Sequence, residues 1–401
     1  MSSQKTTKPP KSLSGKRAAR EILLLSTTAN LSPEKKERIS SLLSGKVDWK
    51  YLMNLAVLHE IAPLISRNFA ANGLNIQVPK PYLDQFDKIY HQTLYKNVIL
   101  SEELSRVLSA FNQRGIPAIS LKGTALAEML YENPALRTTS DMDILVKPDD
   151  LLRSHALLIE LGYQQTISES QQPHPFHGAP YYRQAALPVF IELHWDLEDE
   201  KLIPTRRQEI WSRVRTLSLQ GIRTLVLSPE DTLMFAIVQL CKSFDQLKVL
   251  SDIAELVKKH KESLDWRYIL ESARAWGIGT GVYYSLKRAK DLLEAPVPSF
   301  VFRELKPEPW RRVIIEFLSS QESFVSRIKW KKLRDETLVL VRGLMMKYPR
   351  QTVLVLKKYR GPDERGAWLR TIIWIILVFI AILGLKTVKT VSFGIINPVG
   401  E

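Results

Sequence analysis

Cysteine is almost missing from this sequence: of its 401 residues, Cys241 alone carries a thiol. One thiol cannot form an intramolecular disulfide framework, and it excludes zinc and iron–sulfur sites built on several cysteines. The P-loop, the dinucleotide-binding pattern Gly-x-Gly-x-x-Gly and the hydrolase pattern Gly-x-Ser-x-Gly are also absent from the sequence. The basic N-terminal segment is not followed by a clean apolar stretch of the signal-peptide type. We therefore expect a protein of the reducing cytoplasm.

Acidic residues are too few to balance the basic ones, because 42 Asp and Glu stand against 57 Lys and Arg, a net charge of +15. The excess lies mainly in residues 1–20, which contain no acid and are predicted to be a disordered basic arm, and in residues 321–370. Such ends could contact nucleic acid or an anionic membrane. Neither end contains a known nucleic-acid-binding module, so nucleic acid is the least favoured partner.

Charge disappears altogether from residues 371–385, which are apolar on every side and flanked by Arg370 and Lys386. A helix of this length spans only ~22 Å of the ~30 Å hydrocarbon core, but the flanking side chains extend its reach. Residues 368–386 are therefore a candidate C-terminal membrane anchor, followed by a tail at 387–401. The alternatives are a helix buried in protein or an oligomer contact. The upstream Lys and Arg would keep the main body at the cytoplasmic face, and without an anchor the protein would be soluble and cytoplasmic.

Hydrophobic periodicity divides the rest of the chain into three regions. Apolar residues three and four apart predict an N-terminal helical region at 21–112 and a basic C-terminal helical region at 229–366. Residues 113–228 contain short apolar strands, predicted at Ile116–Leu121, Met142–Val146, Val189–Trp195 and Thr224–Leu227. The predicted fold class is α+β, a small mixed β-sheet core flanked by helical regions, with an apolar helix near the C terminus.

Two aspartates lie at the start of the second predicted strand. Side chains two residues apart on a strand share a face, so Asp141 and Asp143 should project together while Met142 and Ile144 point into the core. Neighbouring carboxylates repel each other unless a cation lies between them, and Mg²⁺ prefers oxygen ligands. An Asp-x-Asp pair alone is weak evidence, because two solvent-facing aspartates at a strand edge are common. Glu192, an isolated acid in another apolar strand, favours a metal site if the two strands are neighbours.

A glycine turn follows the first predicted strand and precedes a helix that starts near Thr124. Such a turn aims backbone N–H groups and the positive helix end at an anion, and Gly123 lets the backbone approach phosphate oxygens closely. Lys122 could add a positive charge and Arg137 could clamp a phosphate. The alternatives are an ordinary strand–helix turn with a surface lysine and, for Arg137, a surface salt bridge.

Together these segments resemble the DNA-polymerase-β-type nucleotidyltransferase superfamily. The segments that carry the resemblance are Leu121-Lys122-Gly123, Arg137-x-x-Ser140-Asp141-x-Asp143-Ile144-Leu145-Val146 and Ile191-Glu192-Leu193-His194-Trp195. More narrowly, the sequence is similar to an uncharacterised bacterial nucleotidyltransferase family whose members carry a Leu-Lys-Gly turn. This similarity covers about residues 45–295.

The resemblance implies a magnesium-dependent transfer of a nucleoside monophosphate from a nucleoside triphosphate to a hydroxyl acceptor, which the sequence does not identify. It implies two Mg²⁺ ions on Asp141, Asp143 and Glu192, with Glu192 as an alternative general base. The nucleotide-binding residues that it implies are Lys122, Gly123, Thr124, Arg137 and Ser140. His194 could orient a carboxylate or the acceptor, or could simply be packed beside Trp195. The alternative function is a catalytically silent nucleotide-binding or scaffold protein of the same fold.

Overall fold

The computed structural model of the protein describes residues 14–166, 178–198, 203–243 and 246–318. Within these ranges no helix is both long enough and apolar enough to cross a membrane. The apolar helix predicted at residues 368–386 lies outside the described residues, as do the tail and most of the predicted basic arm.

Helices make up the described chain up to the first strand. They are α1 (Gly15–Leu25), α2 (Pro33–Leu43), α3 (Trp49–Leu58), α4 (Ala62–Ala71) and α5 (Lys80–Gln113). Ser32 and Asp48 begin α2 and α3, where their side chains accept hydrogen bonds from the backbone N–H groups of Lys35 and Tyr51. These caps satisfy backbone donors that a helix leaves unpaired at its start.

The start of α1 corrects one prediction. The sequence predicts disorder for residues 1–20, but the helix begins at Gly15, so this prediction is wrong for residues 15–20. The reason is an apolar face: Ala18, Ala19, Ile22 and Leu23 are all buried in the helical core. Burial of that face stabilises a helix that the basic composition alone does not indicate.

A seven-stranded mixed sheet forms the centre of the described structure. Its strands are β1 (Ala118–Ser120), β2 (Met142–Val146), β3 (Gln164–Gln165), β4 (Gly178–Arg183), β5 (Val189–His194), β6 (Arg215–Leu219) and β7 (Ile222–Val226). They lie in the order β3-β4-β5-β2-β1-β7-β6. β2 runs parallel to β5, and β1 runs parallel to β7, whereas the other neighbours are antiparallel. The predicted mixed sheet with helical flanks is confirmed, but β3, β4 and β6 were not predicted.

The remaining described helices follow the first strand. They are α6 (Thr124–Tyr131), α7 (Leu151–Glu160), α8 (Arg207–Ser212), α9 (Pro229–Ser243), α10 (Leu247–Lys259), α11 (Trp266–Ala275), α12 (Gly279–Leu293), α13 (Ser299–Glu304) and α14 (Pro309–Leu318). Short 3-10 turns lie at Asn75–Gln77, Pro134–Leu136 and Pro148–Asp150. Most of the C-terminal helices share one hydrophobic core with α1–α4.

The two faces of the sheet contact different layers. Met142 and Ile144 belong to a core formed with the second half of α5 and with α7. Leu145 points the other way, into the core shared by the N- and C-terminal helices. Since side chains alternate along a strand, Asp143 lies on the same face as Leu145. The carboxylate of Asp143 is therefore buried below the helical regions rather than exposed at a strand edge.

Candidate active site

The parallel pairing of β2 and β5 brings two of the predicted acids together. In its register Asp143 lies directly opposite Glu192. The metal site predicted from the sequence requires these two strands to be neighbours, and the structure confirms that they are. Asp143 is 1% exposed, whereas the side chain of Glu192 is 41% exposed. The pair therefore has one buried carboxylate and one that reaches the surface.

His194 joins the two acids from the end of β5. Its Nε2 lies 3.1 Å from Asp143 Oδ1 and 3.6 Å from Glu192 Oε2. As a donor, the imidazole N–H holds the Asp143 carboxylate in place. His194 is itself buried. The two alternatives considered from the sequence, a packed histidine and one that orients a carboxylate, therefore both describe it.

The donor atoms of this cluster fit a metal ion. One ligand atom from each of Asp143, Glu192 and His194 lies within 4.8 Å of the others. Asp143 Oδ2 is buried and has no hydrogen-bond partner among the described residues. A buried carboxylate oxygen without a partner is energetically costly unless a cation binds it. Carboxylate oxygens suit Mg²⁺, a hard cation that prefers oxygen ligands.

Lys122 supplies a positive charge to the cluster. Its Nζ lies 3.1 Å from Asp143 Oδ1 and 4.0 Å from Asp141 Oδ2. Burial alone would lower the pKa of Lys122, but the charges of Asp143 and Asp141 outweigh it and raise that pKa. Burial likewise works to raise the pKa of Asp143, yet the His194 hydrogen bond and the Lys122 charge keep it below its usual value. Both groups are therefore charged at neutral pH.

Asp141 lies just before β2, at the edge of the cluster. Ser140 Oγ donates a hydrogen bond of 2.6 Å to Asp141 Oδ1, and Asp141 Oδ2 faces the Lys122 ammonium. The compact group of possible metal ligands contains His194 in place of Asp141. Asp141 thus reaches the site through Lys122, and Ser140 orients Asp141 in this structure.

The glycine turn between β1 and α6 lies beside the acids. Gly123 has φ +72° and ψ −133°, a conformation that glycine adopts readily and other residues avoid. A Cβ there would lie 3.2 Å from Thr139 Cγ2 and 3.3 Å from the Asp141 carbonyl oxygen. The Leu121 N–H donates to the Asp143 carbonyl oxygen, which ties the turn to β2. The positive end of α6, which starts at Thr124, is therefore held next to the carboxylates.

Arg137 has partners that the sequence did not indicate. Its Nε lies 3.1 and 3.0 Å from the two Asp252 carboxylate oxygens, and its Nη1 donates to the Gly123 carbonyl oxygen at 3.3 Å. Tyr131 donates a hydrogen bond to the same Asp252. Arg137 is 6% exposed, so this is a buried ion pair rather than a surface one. In this structure Arg137 links the glycine turn to α10, and its predicted phosphate contact stays a prediction.

A cavity of about 370 Å³ opens beside the glycine turn, between α6, α9 and α10. The basic side chains that line it are Lys122, Arg137, Lys242 and Lys248. Lys242 is ion-paired with Glu198, and Lys248 with Glu60 of the N-terminal region. Burial and the charge of Arg137 lower the pKa of Lys248. The cavity therefore lies between the glycine turn and the C-terminal helices, and its four basic side chains favour an anionic ligand.

Gly178, at the start of β4, is a site residue that the sequence did not reveal. It pairs with His194 across the β4–β5 ladder. A Cβ at this position would lie 3.0 Å from His194 Nδ1 and 3.2 Å from Glu192 Oε1. Its surroundings, rich in Ser, Gln, Pro and His, predict a loop. The role of Gly178 follows from the pairing of β4 with β5, which only the tertiary structure shows.

Comparison with known proteins identifies the family. Residues 45–294 match a family described as uncharacterised nucleotidyltransferase. This match takes in more than half of the chain, and the protein belongs to that nucleotidyltransferase family. Four chains among solved structures are similar. One is an antigenic nucleotidyltransferase-like protein from Paracoccidioides brasiliensis, with 16% identity, coverage of 51% of this chain and 96% of that chain, and a TM-score of 0.33. No curated protein matches the sequence significantly.

Proposed function

We propose that the protein transfers a nucleoside monophosphate from a nucleoside triphosphate to a hydroxyl acceptor in a magnesium-dependent reaction. The observation that carries this proposal is the pairing of Asp143 with Glu192 beside the glycine turn, with Asp143 Oδ2 buried and without a hydrogen-bond partner in the described part of the chain. Membership of a nucleotidyltransferase family supports the same reaction class. Asp141 and Asp143, two of the predicted metal ligands, both lie within 4.0 Å of the Lys122 ammonium in the structure.

In this proposal Asp141, Asp143 and Glu192 hold two Mg²⁺ ions, and His194 keeps the Asp143 carboxylate oriented toward them. When bound, the metal supplies Lewis-acid stabilisation of the negative charge that develops on the phosphate oxygens. The donor set supports Asp143 and Glu192 as ligands because atoms of their carboxylates and of the His194 imidazole lie within 4.8 Å of one another. Asp141 is included on the resemblance of its motif. His194 lies within 3.1 Å of Asp143 and therefore acts as a positioning residue.

The triphosphate binds at the glycine turn. Backbone N–H groups of Gly123 and Thr124 at the start of α6 point to where an anion is favoured. Lys122, Lys242 and Lys248 line the adjoining cavity and attract phosphate oxygens. Arg137 contributes by holding the Gly123 carbonyl and so the conformation of the turn.

Transfer exchanges one phosphorus–oxygen bond for another. The acceptor oxygen forms a bond to the α-phosphorus while the bond between the α-phosphorus and the bridging oxygen breaks, and pyrophosphate leaves with that electron pair. The acceptor proton passes to water; in the alternative in which Glu192 is the general base and not a metal ligand, it passes to the Glu192 carboxylate. Glu192 supports this role because its side chain is 41% exposed and can reach an acceptor that comes from solvent.

The test uses full-length protein, each of the four nucleoside triphosphates labelled at the α-phosphate, Mg²⁺ and a cell extract as the source of acceptors. We expect a labelled product from the wild type, and Asp143→Asn should lower its rate by at least about 100-fold. Asp149→Asn, an exposed acid beyond the far end of β2, is the matched control and should retain activity. If the wild type gives no more labelled product than Asp143→Asn with any nucleotide, the proposed reaction is refuted and the alternative, a catalytically silent nucleotide-binding or scaffold protein, is favoured.

We also propose that residues 368–386 attach the protein to the cytoplasmic face of a membrane. The support is the uncharged run at 371–385 and the basic segment that precedes it. Membrane fractionation of the full chain against a chain that ends at Gly366 tests this. The full chain should stay in the membrane pellet after an alkaline wash, and equal solubility of the two chains would refute the anchor.

A further inference from the structure

Lys122 lies where the acidic cluster needs a positive charge. Its ammonium is 3.1 Å from Asp143 Oδ1 and 4.0 Å from Asp141 Oδ2, and Glu192 lies across the strand pair from Asp143. Two of the three proposed metal ligands therefore share one side-chain cation. A divalent ion bound to the same carboxylates would be a second cation close to the Lys122 Nζ, and the two would repel each other.

The carboxylates need this cation in the metal-free protein. Asp143 is 1% exposed and faces a second carboxylate, so burial and repulsion would both disfavour its charged form if Lys122 were absent. Lysine suits such a role because its compact charge sits on a flexible four-carbon stem with three donor hydrogens. It can neutralise the cluster and can also leave it.

The displaced side chain has a place to go. Lys122 lines the cavity of about 370 Å³ beside the glycine turn, and its side chain is 29% exposed. The cavity also carries Lys242 and Lys248, each of which already has a carboxylate partner. A triphosphate in this cavity would offer anionic oxygens to the Lys122 ammonium in exchange for Asp143 and Asp141.

We propose that Lys122 is an internal counter-ion. A divalent cation displaces its ammonium from the carboxylates, and the ammonium then pairs with a bound triphosphate, so that metal and triphosphate bind cooperatively. This inference rests on the proposed function, because it assumes that both ligands use this site. Linkage makes the effect reciprocal: the metal raises the affinity for triphosphate by the same factor as the triphosphate raises the affinity for metal.

The test measures Mn²⁺ binding to full-length protein by electron paramagnetic resonance of the free ion, with and without inorganic tripolyphosphate. Lys122→Met should bind Mn²⁺ alone at least about fivefold more tightly than the wild type, the lower end of ordinary coupling between sites. Tripolyphosphate should strengthen Mn²⁺ binding to the wild type clearly more than to Lys122→Met. Mn²⁺ also binds tripolyphosphate in solution, but that equilibrium is the same for both proteins and cancels.

Lys258→Met is the matched control, since Lys258 is similarly exposed and also pairs with a carboxylate, that of Glu255. It should leave Mn²⁺ affinity unchanged. Lys122→Gln, a smaller change in polarity, replaces Lys122→Met if the latter lowers the melting temperature. The inference is overturned if a Lys122 variant that keeps its melting temperature binds Mn²⁺ no more tightly than the wild type. It is also overturned if tripolyphosphate does not strengthen Mn²⁺ binding to the wild type.

Asp143→Asn separates this failure from failure of the proposed function. If Asp143→Asn abolishes Mn²⁺ binding but Lys122 variants bind as the wild type does, the metal site stands and only the counter-ion role is refuted. If the wild type binds no Mn²⁺ even with tripolyphosphate, both the counter-ion role and the proposed function fail.

Discussion

Gly178 faces His194 across the β4–β5 ladder, and the space that a glycine side chain leaves open is filled by the imidazole. A Cβ at position 178 would lie 3.0 Å from His194 Nδ1 and 3.2 Å from Glu192 Oε1. Real Cβ atoms essentially never come closer than 3.0 Å to a neighbouring atom. The orientation of two side chains of the candidate metal site thus depends on the absence of one methyl group on a neighbouring strand.

Gly178→Ala should therefore impair metal binding more than folding. The added Cβ forces His194 or Glu192 to move by a few tenths of an ångström, and we expect Mn²⁺ affinity to fall by about 10-fold, as for other supports of metal ligands. Mn²⁺ titration and the melting temperature check this. Gly279→Ala is the control, because its Cβ would meet Leu305 at an ordinary 3.6 Å. Equal Mn²⁺ affinity in the wild type and Gly178→Ala would contradict the expected crowding.

Removal of the His194 imidazole should move the acid limit of metal binding to higher pH. The pKa of Asp143 is held below its usual value against the effect of burial, first by the His194 hydrogen bond and then by the Lys122 charge. In His194→Ala that hydrogen bond is lost, so Asp143 binds its proton at a higher pH and competes with the metal sooner. Mn²⁺ affinity measured across pH 3–7 tests this.

The control for His194→Ala is His155→Ala. His155 is hydrogen-bonded to the Tyr181 hydroxyl at 2.8 Å on the opposite face of the sheet. Its loss should leave the pH profile of Mn²⁺ binding where it is in the wild type. A shift of the same size in both variants would refute a specific role of His194.

Arg137→Met should destabilise the protein strongly. It leaves the carboxylate of Asp252, 3% exposed, without its guanidinium partner, and breaking a buried ion pair costs about 3–5 kcal/mol. Urea unfolding measures the loss. Arg114→Met is the control, because Arg114 and Glu160 are both more than half exposed and such pairs contribute about 0–1 kcal/mol. If Arg137→Met is as stable as the wild type but loses triphosphate affinity, Arg137 is the phosphate clamp that the sequence predicted.

Glu103 should contribute to stability in acid. It is buried between α5 and β4, where burial works to raise its pKa, but hydrogen bonds from Arg106, Tyr163 and Arg183 dominate and lower that pKa to about 2. A lowered carboxyl pKa stabilises the fold above the unfolded value near 4.5, and that stability is lost as the pH falls toward 2.

Glu103→Gln should therefore be about 2–3 kcal/mol less stable than the wild type at pH 7, and this difference should shrink between pH 4.5 and pH 2. Melting temperatures across that range test the prediction. Glu102→Gln, at the neighbouring exposed position of the same helix, should follow the wild type. A stability difference for Glu103→Gln that does not change with pH would argue against the lowered pKa.

Local features of the candidate site could be read from the sequence because each depends on a few consecutive residues. The strand predicted at Met142–Val146 has the same bounds in the structure, since its run of apolar residues favours a buried strand. The turn at Gly123 and the helix that starts at Thr124 were also predicted, because glycine tolerates the positive φ that ends the strand. The roles of these residues in catalysis stay predictions.

Contacts between distant segments were decided by the tertiary structure. Arg137 pairs with Asp252, 115 residues further along the chain, and Gly178 faces His194 across a strand that polar composition did not indicate. The choice of a strand's neighbour, or of a buried charge's partner, depends on the free energy of the whole packed arrangement. The sequence by itself determined which residues carry carboxylates and where the chain turns, whereas packing of the sheet against both helical regions decided which of those groups meet.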